Sequence, residues 1–250
     1  MAGTTLFISD LHLCGERPAI TALFLDFLAG DARNADALYI LGDLFEYWLG
    51  DEAASQPAHQ PIMDGLRAAS VHTPIYVMHG NRDFLMGVGF ERASGCRLIP
   101  DPTRTELYGT PVLLMHGDSL CTADAEHMAF RATVRDEKWQ REFLAKPVAE
   151  REAIAREYRA YSKMATAKKN PEIMDVTPEA VEAVMRQHYV LRLIHGHTHR
   201  PREHALTIDG KAAKRAVLGD WYEQGSVLRV SAKGWSLETL PLRTVRESAG

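Results

Sequence analysis

The sequence predicts an α/β fold, with a largely parallel inner sheet and a helical cap inserted near the middle of the chain. Three observations point there. Short apolar runs alternate with helical spacing in the first half, the stretch from Ala123 to about Tyr189 carries helical spacing alone, and strand patterns return from Val190. Thr5 to Ser9, Ala37 to Leu41, Ile75 to His79 and Val112 to His116 are short and rich in β-branched or aromatic residues, so each reads as a buried strand. Pro18 to Ala29 and Pro61 to Ser70 place apolar residues at helical intervals, with each proline in a first turn, where its missing N–H is harmless. In the middle stretch Phe130 and Val134, then Trp139 and Phe143, sit four apart. Ile154, Tyr158, Tyr161 and Met164 share a helical face, and Pro147 and Pro171 break the run. Strands are expected again at Val190 to His195, around an Asp209-Gly210 turn between Thr207 and Ala213 to Leu218, at Val227 to Ser231 and at Trp235 to Leu240, with a loose tail after Pro241. Residues 1–122 and 190–243 therefore make the expected core, and 123–189 the cap.

Composition narrows the class. At 250 residues, 46% hydrophobic and 25% charged, the chain has the make-up of a soluble globular protein. A formal charge of -4 weighs against a nucleic-acid partner, which needs a basic face to meet phosphates. No run approaches the roughly 20 apolar residues of a membrane span, and the start lacks the basic-then-apolar order of a signal peptide, so a cytoplasmic location is expected. Cys14, Cys96 and Cys121 are odd in number and form no C-x-x-C pair, which points to reduced thiols.

Five short motifs carry the chemistry: Asp10-x-His12, Gly42-Asp43, Gly80-Asn81-Arg82-Asp83, His116-Gly117-Asp118 and Gly196-His197-x-His199. Alone, each is ordinary; an aspartate after a strand commonly caps a helix, and a strand-end histidine is commonly a satisfied core residue. Together they follow strands directly, so they gather at the carboxyl edge, where open α/β sheets bind ligands. Clustering Asp10, His12, Asp43, Asn81, His116, His197 and His199 there is costly unless a cation pairs them. Mixed oxygen and nitrogen donors suit a pair of divalent metals, and such a pair suits in-line attack on phosphorus. His195 flanks the last motif as either a support for it or a plain strand residue.

The ordered motifs resemble the calcineurin-like metallophosphoesterase superfamily and, within it, the branch acting on UDP-2,3-diacylglucosamine. That likeness is densest in Ile8 to Cys14, Tyr39 to Phe45, His79 to Phe84 and Ile194 to Pro201. The resemblance implies a β-sandwich flanked by helices, with an inserted helical cap, and two Mn²⁺ ions. One would be held by Asp10, His12, Asp43 and His199, the other by Asp43, Asn81, His116 and His197, with Asp43 bridging. It further implies hydrolysis of the pyrophosphate of UDP-2,3-diacylglucosamine by metal-bound hydroxide at the α-phosphorus, giving UMP and 2,3-diacylglucosamine 1-phosphate. Asp43, Asn81, Arg82 and His116 would serve catalysis; Asn81, Arg82, Asp124, Ser162, Thr166, Lys169 and His197 would contact substrate. A lipid substrate implies peripheral contact with the cytoplasmic face of the inner membrane.

Two departures refine the expectation. Many superfamily members carry His after the asparagine of the third motif, where it protonates a departing alkoxide, whereas this chain has Arg82. A guanidinium is a poor proton donor but binds phosphate oxygens bidentately, which suits a phosphate leaving group whose second pKa is roughly 6 and which needs no proton. Thr166 stands where relatives tend to carry Asn, and it reaches less far. Within 122–170, 11 Lys and Arg face 8 Asp and Glu, a small basic excess beside an aromatic set of the kind a lipid-receiving cap needs, although such charges are usually a solvated face and such aromatics more often pack than touch ligand. Two alternatives stay open: another phosphodiesterase or phosphatase on this scaffold, and a non-catalytic interaction platform, which would be expected to have lost ligands.

Overall fold

The computed structural model describes residues 3–166, 169–170 and 172–242, without the side chains of Lys163 and Thr166. The expected break at Pro171 and most of the tail after Pro241 lie outside the described residues. The first half runs β1 (Thr4–Ile8), α1 (Pro18–Ala29), β2 (Ala37–Leu41), α2 (Gln60–Ser70), β3 (Ile75–Met78), α3 (Val88–Ser94), β4 (Arg97–Ile99), β5 (Thr103–Leu107) and β6 (Thr110–Met115). Helices α4 (Ala125–Val134), α5 (Glu137–Leu144), α6 (Val148–Thr166) and α7 (Pro178–Gln187) follow. The strands β7 (Arg192–His195), β8 (Arg202–Ile208), β9 (Lys211–Val217), β10 (Gln224–Ser231) and β11 (Gly234–Pro241) complete the order. No helix among the described residues is long and apolar enough to cross a membrane.

The strands form two mixed sheets, ordered β11-β10-β1-β2-β3-β4 and β5-β6-β7-β9-β8. In the first, β1 to β4 are parallel and β10 and β11 antiparallel; in the second, β6, β7 and β9 are parallel and β5 and β8 are antiparallel edges. The residue patterns predict a largely parallel inner sheet; the structure divides those strands between two sheets, as the β-sandwich implied by the resemblance requires. Val112 to His116 leaves the first three strands because β4 and β5 intervene, and the β5–β6 hairpin turns at Tyr108-Gly109, both at positive φ. Strand β5 (Thr-Arg-Thr-Glu-Leu) escaped the sequence reading because an edge strand with one wet face needs little hydrophobicity. Helix α3 escaped it because it is seven residues long.

Side-chain alternation explains the layers. In β1, Leu6 and Ile8 face a core filled by Phe24, Phe27, Ile62 and Leu66 of α1 and α2, while Phe7 between them faces the other sheet. In β6, Val112 and Leu114 face the first sheet, and Leu113 and Met115 face Val181 and Met185 of α7. The order is helices, sheet, sheet, helix, with the central strands of both sheets covered on both faces. Helix α7 belongs to this stack by its packing; α5 and α6 instead send Phe143, Trp139, Ile154 and Ala155 against the first core from above the site.

Candidate metal centre

Every sequence-predicted ligand lies at the carboxyl end of a parallel strand, three strands from each sheet forming the rim. Asp10 and His12 follow β1, Asp43 follows β2 and Asn81 follows β3. His116 closes β6, and His197 and His199 follow β7. Asp220, after β9, is the sixth contribution, and the motif search missed it although it sits at a strand end like the others. Five of these ligands, Asp10, His12, Asp43, His197 and His199, adopt φ between 49 and 67°. For residues with a Cβ such backbone costs roughly 1 to 3 kcal/mol each and persists only where surrounding structure enforces it, so strain is concentrated at this rim. The motif glycines permit the crowding: a Cβ on Gly42, itself at φ 92°, would strike the His116 ring, and one on Gly80 would strike Asp43.

The side chains converge. His12 Nε2 lies 3.4 Å from His199 Nε2, which is 3.3 Å from Asp10 Oδ1. Asn81 Oδ1 sits 3.0 Å from His116 Nε2 and 2.9 Å from His197 Nδ1. Asp43 stands between the two groups, Oδ2 at 3.8 Å from His12 Nε2 and Oδ1 at 3.9 Å from His116 Nε2. Among the described residues two triads have donor atoms all within 4.8 Å of one another: Asp10, His12 and His199, and Asp10, Asp43 and His116. By that measure Asp10 joins both groups, while the opposed oxygens of Asp43 give it the reach of a bridge.

Electrostatics favour cations here. Buried Asp10 Oδ1 faces the rim without a well-formed hydrogen bond, an expense that a bound ion would relieve. Burial works against a charge on Asp10, yet its pairing with His199 holds the carboxyl below the usual range. Burial would also lower His199, but Asp10 and Asp220 carry it up to about 10. His116 is likewise opposed by burial and raised to about 9 by Asp43, Asp118 and Asp10. His12 and His197 go the other way, burial keeping both neutral, His197 down to about 3 with help from His116. Neutral imidazole is the ligating form, and the two protonated rings stand where added positive charge is already held. The donor set, two carboxylates, four ring nitrogens and an amide oxygen within one cluster with His116, fits a pair of divalent ions.

A supporting shell fixes the donors. Asp220 Oδ2 is 3.0 Å from His199 Nδ1, and His116 Nδ1–H donates to Leu41 O at 2.9 Å, each turning Nε2 inward. Ser9 and the His197 N–H donate to Asp10 Oδ2 at 2.5 and 2.9 Å, and the Arg82 N–H donates to Asp43 Oδ1 at 2.9 Å. Asp83 is fully buried and accepts from the Leu44, Phe45 and Gly80 N–H groups, tying the second motif to the third. It therefore does not pair with the Arg82 guanidinium, which instead faces buried Glu46. His195 lies outside the cluster; its Nδ1–H donates to Gly196 O, and burial with Arg215 nearby holds it down to about 4. Cys96 and Cys121 are buried, their thiols pushed up to about 12 by burial.

A cavity of about 250 Å³ opens beside the rim, beneath α4, α5 and α6. Asn81 and Arg82 meet it from the core, while Phe130, Trp139, Phe143 and Tyr158 make its apolar wall. Of the expected substrate contacts, Asp124, Ser162 and Lys169 line it, with Lys169 Nζ 2.8 Å from both Asp124 oxygens and 3.0 Å from Glu126. His197 reaches the rim but not the cavity lining, and the side chain of Thr166 lies outside the described residues. Glu46, His127 and Arg159 also line the cavity and went unnoticed in the sequence, because nothing in their local pattern separates them from solvated charges.

Residues 3–201 match the calcineurin-like phosphoesterase model. The chain is 52% identical over 245 residues to UDP-2,3-diacylglucosamine hydrolase of Stenotrophomonas maltophilia (strain K279a), covering 95% of this chain and 98% of the relative. It is also 52% identical over 238 residues to the hydrolase of that name from Enterobacter sp. (strain 638), covering 95% and 99%, and 50% identical over 247 residues to that of Xanthomonas campestris pv. campestris (strain ATCC 33913), covering 96% and 100%. Among solved structures, a dimetal phosphatase from Danio rerio superposes with TM-score 0.51 at 15% identity, covering 97% and 99%, a likeness of fold. On its ordered motifs, its two-sheet fold and its end-to-end similarity to these relatives, the chain belongs to the calcineurin-like phosphoesterase family.

Proposed function

We propose that this chain hydrolyses the pyrophosphate of UDP-2,3-diacylglucosamine to UMP and 2,3-diacylglucosamine 1-phosphate. The observation that carries the reading is the junction of a seven-donor cluster, four of its residues buried, with an aromatic cavity at Asn81 and Arg82, in a chain sharing half its residues with hydrolases of that substrate. Asp10, His12, Asp43 and His199 would hold one cation and Asp43, Asn81, His116 and His197 the other, Mn²⁺ being favoured by carboxylate, imidazole and amide oxygen together. When bound, the pair supplies Lewis acidity and an activated water near neutral pH.

The chain's own residues do the rest. Arg82 binds non-bridging phosphate oxygens and stabilises charge developing toward the transition state. The departing sugar phosphate needs no proton, which explains why a guanidinium serves where an acid would otherwise be required. Lys169, Asp124 and Ser162 offer a cation, a carboxylate and a hydroxyl to the polar head, while Phe130, Trp139, Phe143 and Tyr158 take up acyl chains and keep water from them. Helices α4 to α6 act as the cap, while α7, which falls within the expected 123–189 boundary, packs on the second sheet instead. Tyr161 and Met164, exposed on α6, give it an apolar face toward the cytoplasmic side of the inner membrane, with no anchor required.

Purified protein with Mn²⁺ is expected to release UMP from UDP-2,3-diacylglucosamine, and a chelator to stop it. Absence of UMP with metal-loaded protein refutes the substrate.

A further inference from the structure

Glu46 is a buried carboxylate to which the catalytic reading assigns no task. It follows Asp43 by three residues, its N–H donates to Leu13 O at 3.1 Å, and 6% of it is exposed. Three guanidiniums from separate parts of the chain face it: Arg159 of α6 at 3.2 Å, Arg17 at 3.3 Å and Arg82 at 3.8 Å. An ion pair that only stabilised the fold would be balanced; here three cations less one anion leave two positive charges over. Arg17 is turned away, donating to His12 O and lying 4.6 Å over the Tyr222 ring. Arg82 and Arg159 line the cavity together with Glu46 itself. The excess charge is therefore presented at the place where a phosphate must sit.

We propose that Glu46 is a positioning residue: its carboxylate holds Arg82 of the core and Arg159 of α6 side by side at the cavity mouth, facing the diphosphate. The proposal rests on the substrate reading above. Two cations left to themselves would repel and splay; one carboxylate between them keeps both guanidiniums at phosphate-binding separation, and joins α6 to the metal rim. Its other oxygen, 4.0 Å from His12 Nδ1, also reaches toward a ligand, so a test must separate the two routes.

Glu46→Gln keeps shape and removes charge. In Mn²⁺-loaded protein it is expected to lower kcat for the acylated UDP-sugar about 10- to 100-fold, the usual result of slight misplacement of a reacting-centre group, with bound Mn²⁺ unchanged. Calorimetry with inorganic phosphate gives the deciding sign. A carboxylate acting only through its own charge repels phosphate, so its removal would tighten binding; a carboxylate that holds arginines weakens binding when lost. Tighter or equal phosphate binding overturns the proposal, as does loss of bound Mn²⁺, which would place the effect on His12. In an Arg82→Ala background Glu46→Gln should cost far less than in the native chain; a fully additive loss also overturns it. Glu46→Asp, charged but shorter, should recover part of the activity, and its coupling to Arg82→Ala decides the matter if the glutamine variant does not fold. Should native protein release no UMP, the substrate reading fails while the phosphate titrations still judge Glu46.

Discussion

The metal rim and the helices above it are secured in opposite ways. At the rim, donors are held by backbone: five residues at positive φ, glycines that let chains approach, and N–H groups donated to Asp10, Asp43 and Asp83. Helices α4 to α6 are held by long side chains instead. Arg131 reaches Asp118 at 2.8 Å, Arg135 donates to Gly80 O at 2.9 Å, Arg151 meets Leu49 O and Glu52, and Arg159 meets Glu46. The first arrangement fixes atoms to fractions of an ångström, as ligation requires; the second allows a wall to adapt to a bulky ligand. Chemistry and specificity thus sit on different mechanical supports within one cleft.

Substitutions can break that division. Asp43→Ala or His116→Ala is expected to remove UMP release by about 10³-fold or more, since losing one preorganised electrostatic group already costs about 10²–10³. Aryl phosphodiester turnover should fall equally, with folding judged by circular dichroism. Asp220→Asn, which loosens His199 without removing a donor, should cost about 10- to 100-fold in metal affinity or activity, read by metal titration. Phe130→Ala in the wall should raise KM for the acylated substrate by about tenfold, roughly the worth of one to three kcal/mol of apolar contact, and should barely touch turnover of a short aryl diester. Equal losses on both substrates would show that wall and rim are one mechanical unit.

The smallest effect concerns protons. With His116 raised to about 9 and His199 to about 10, both rings are protonated at pH 7 in the metal-free protein, whereas ligation needs their bare nitrogens. Burial also raises the Asp43 carboxyl, to about 7, so cation uptake near pH 7 should release between two and three protons, and apparent affinity should climb as pH rises toward those values, then level off. Calorimetry in buffers of different ionisation enthalpy measures the count. Affinity independent of pH between 7 and 9 would contradict the charges assigned to these rings.

Much of the rim was legible in advance because its signal is local. Each ligand follows an apolar run of strand length, and the motif glycines mark backbone crowding that a chain reveals in its own neighbourhood. Asp220 was missed although Gly219-Asp220 follows a strand just as Gly42-Asp43 does, because it is not among the five motifs that carry the resemblance. Glu46, His127 and Arg159 were missed because their partners lie 29 or more residues away along the chain, as for Arg17–Glu46, or in another layer of the cleft. Which sheet each strand joins was not legible from residue patterns for a related reason: a strand buried on both faces looks the same whichever sheet it joins.

By itself the sequence determined the alternation of strands and helices, the order of the five motifs and hence the family, because these depend on periodicity and on residue types at short spacing. Only the tertiary structure decided that β6 and β7 form a second sheet, that Asp43 turns one oxygen toward each donor group, and that three arginines gather on Glu46. Those facts arise from burial and charge acting between distant segments, and distance in space is not written in distance along the chain.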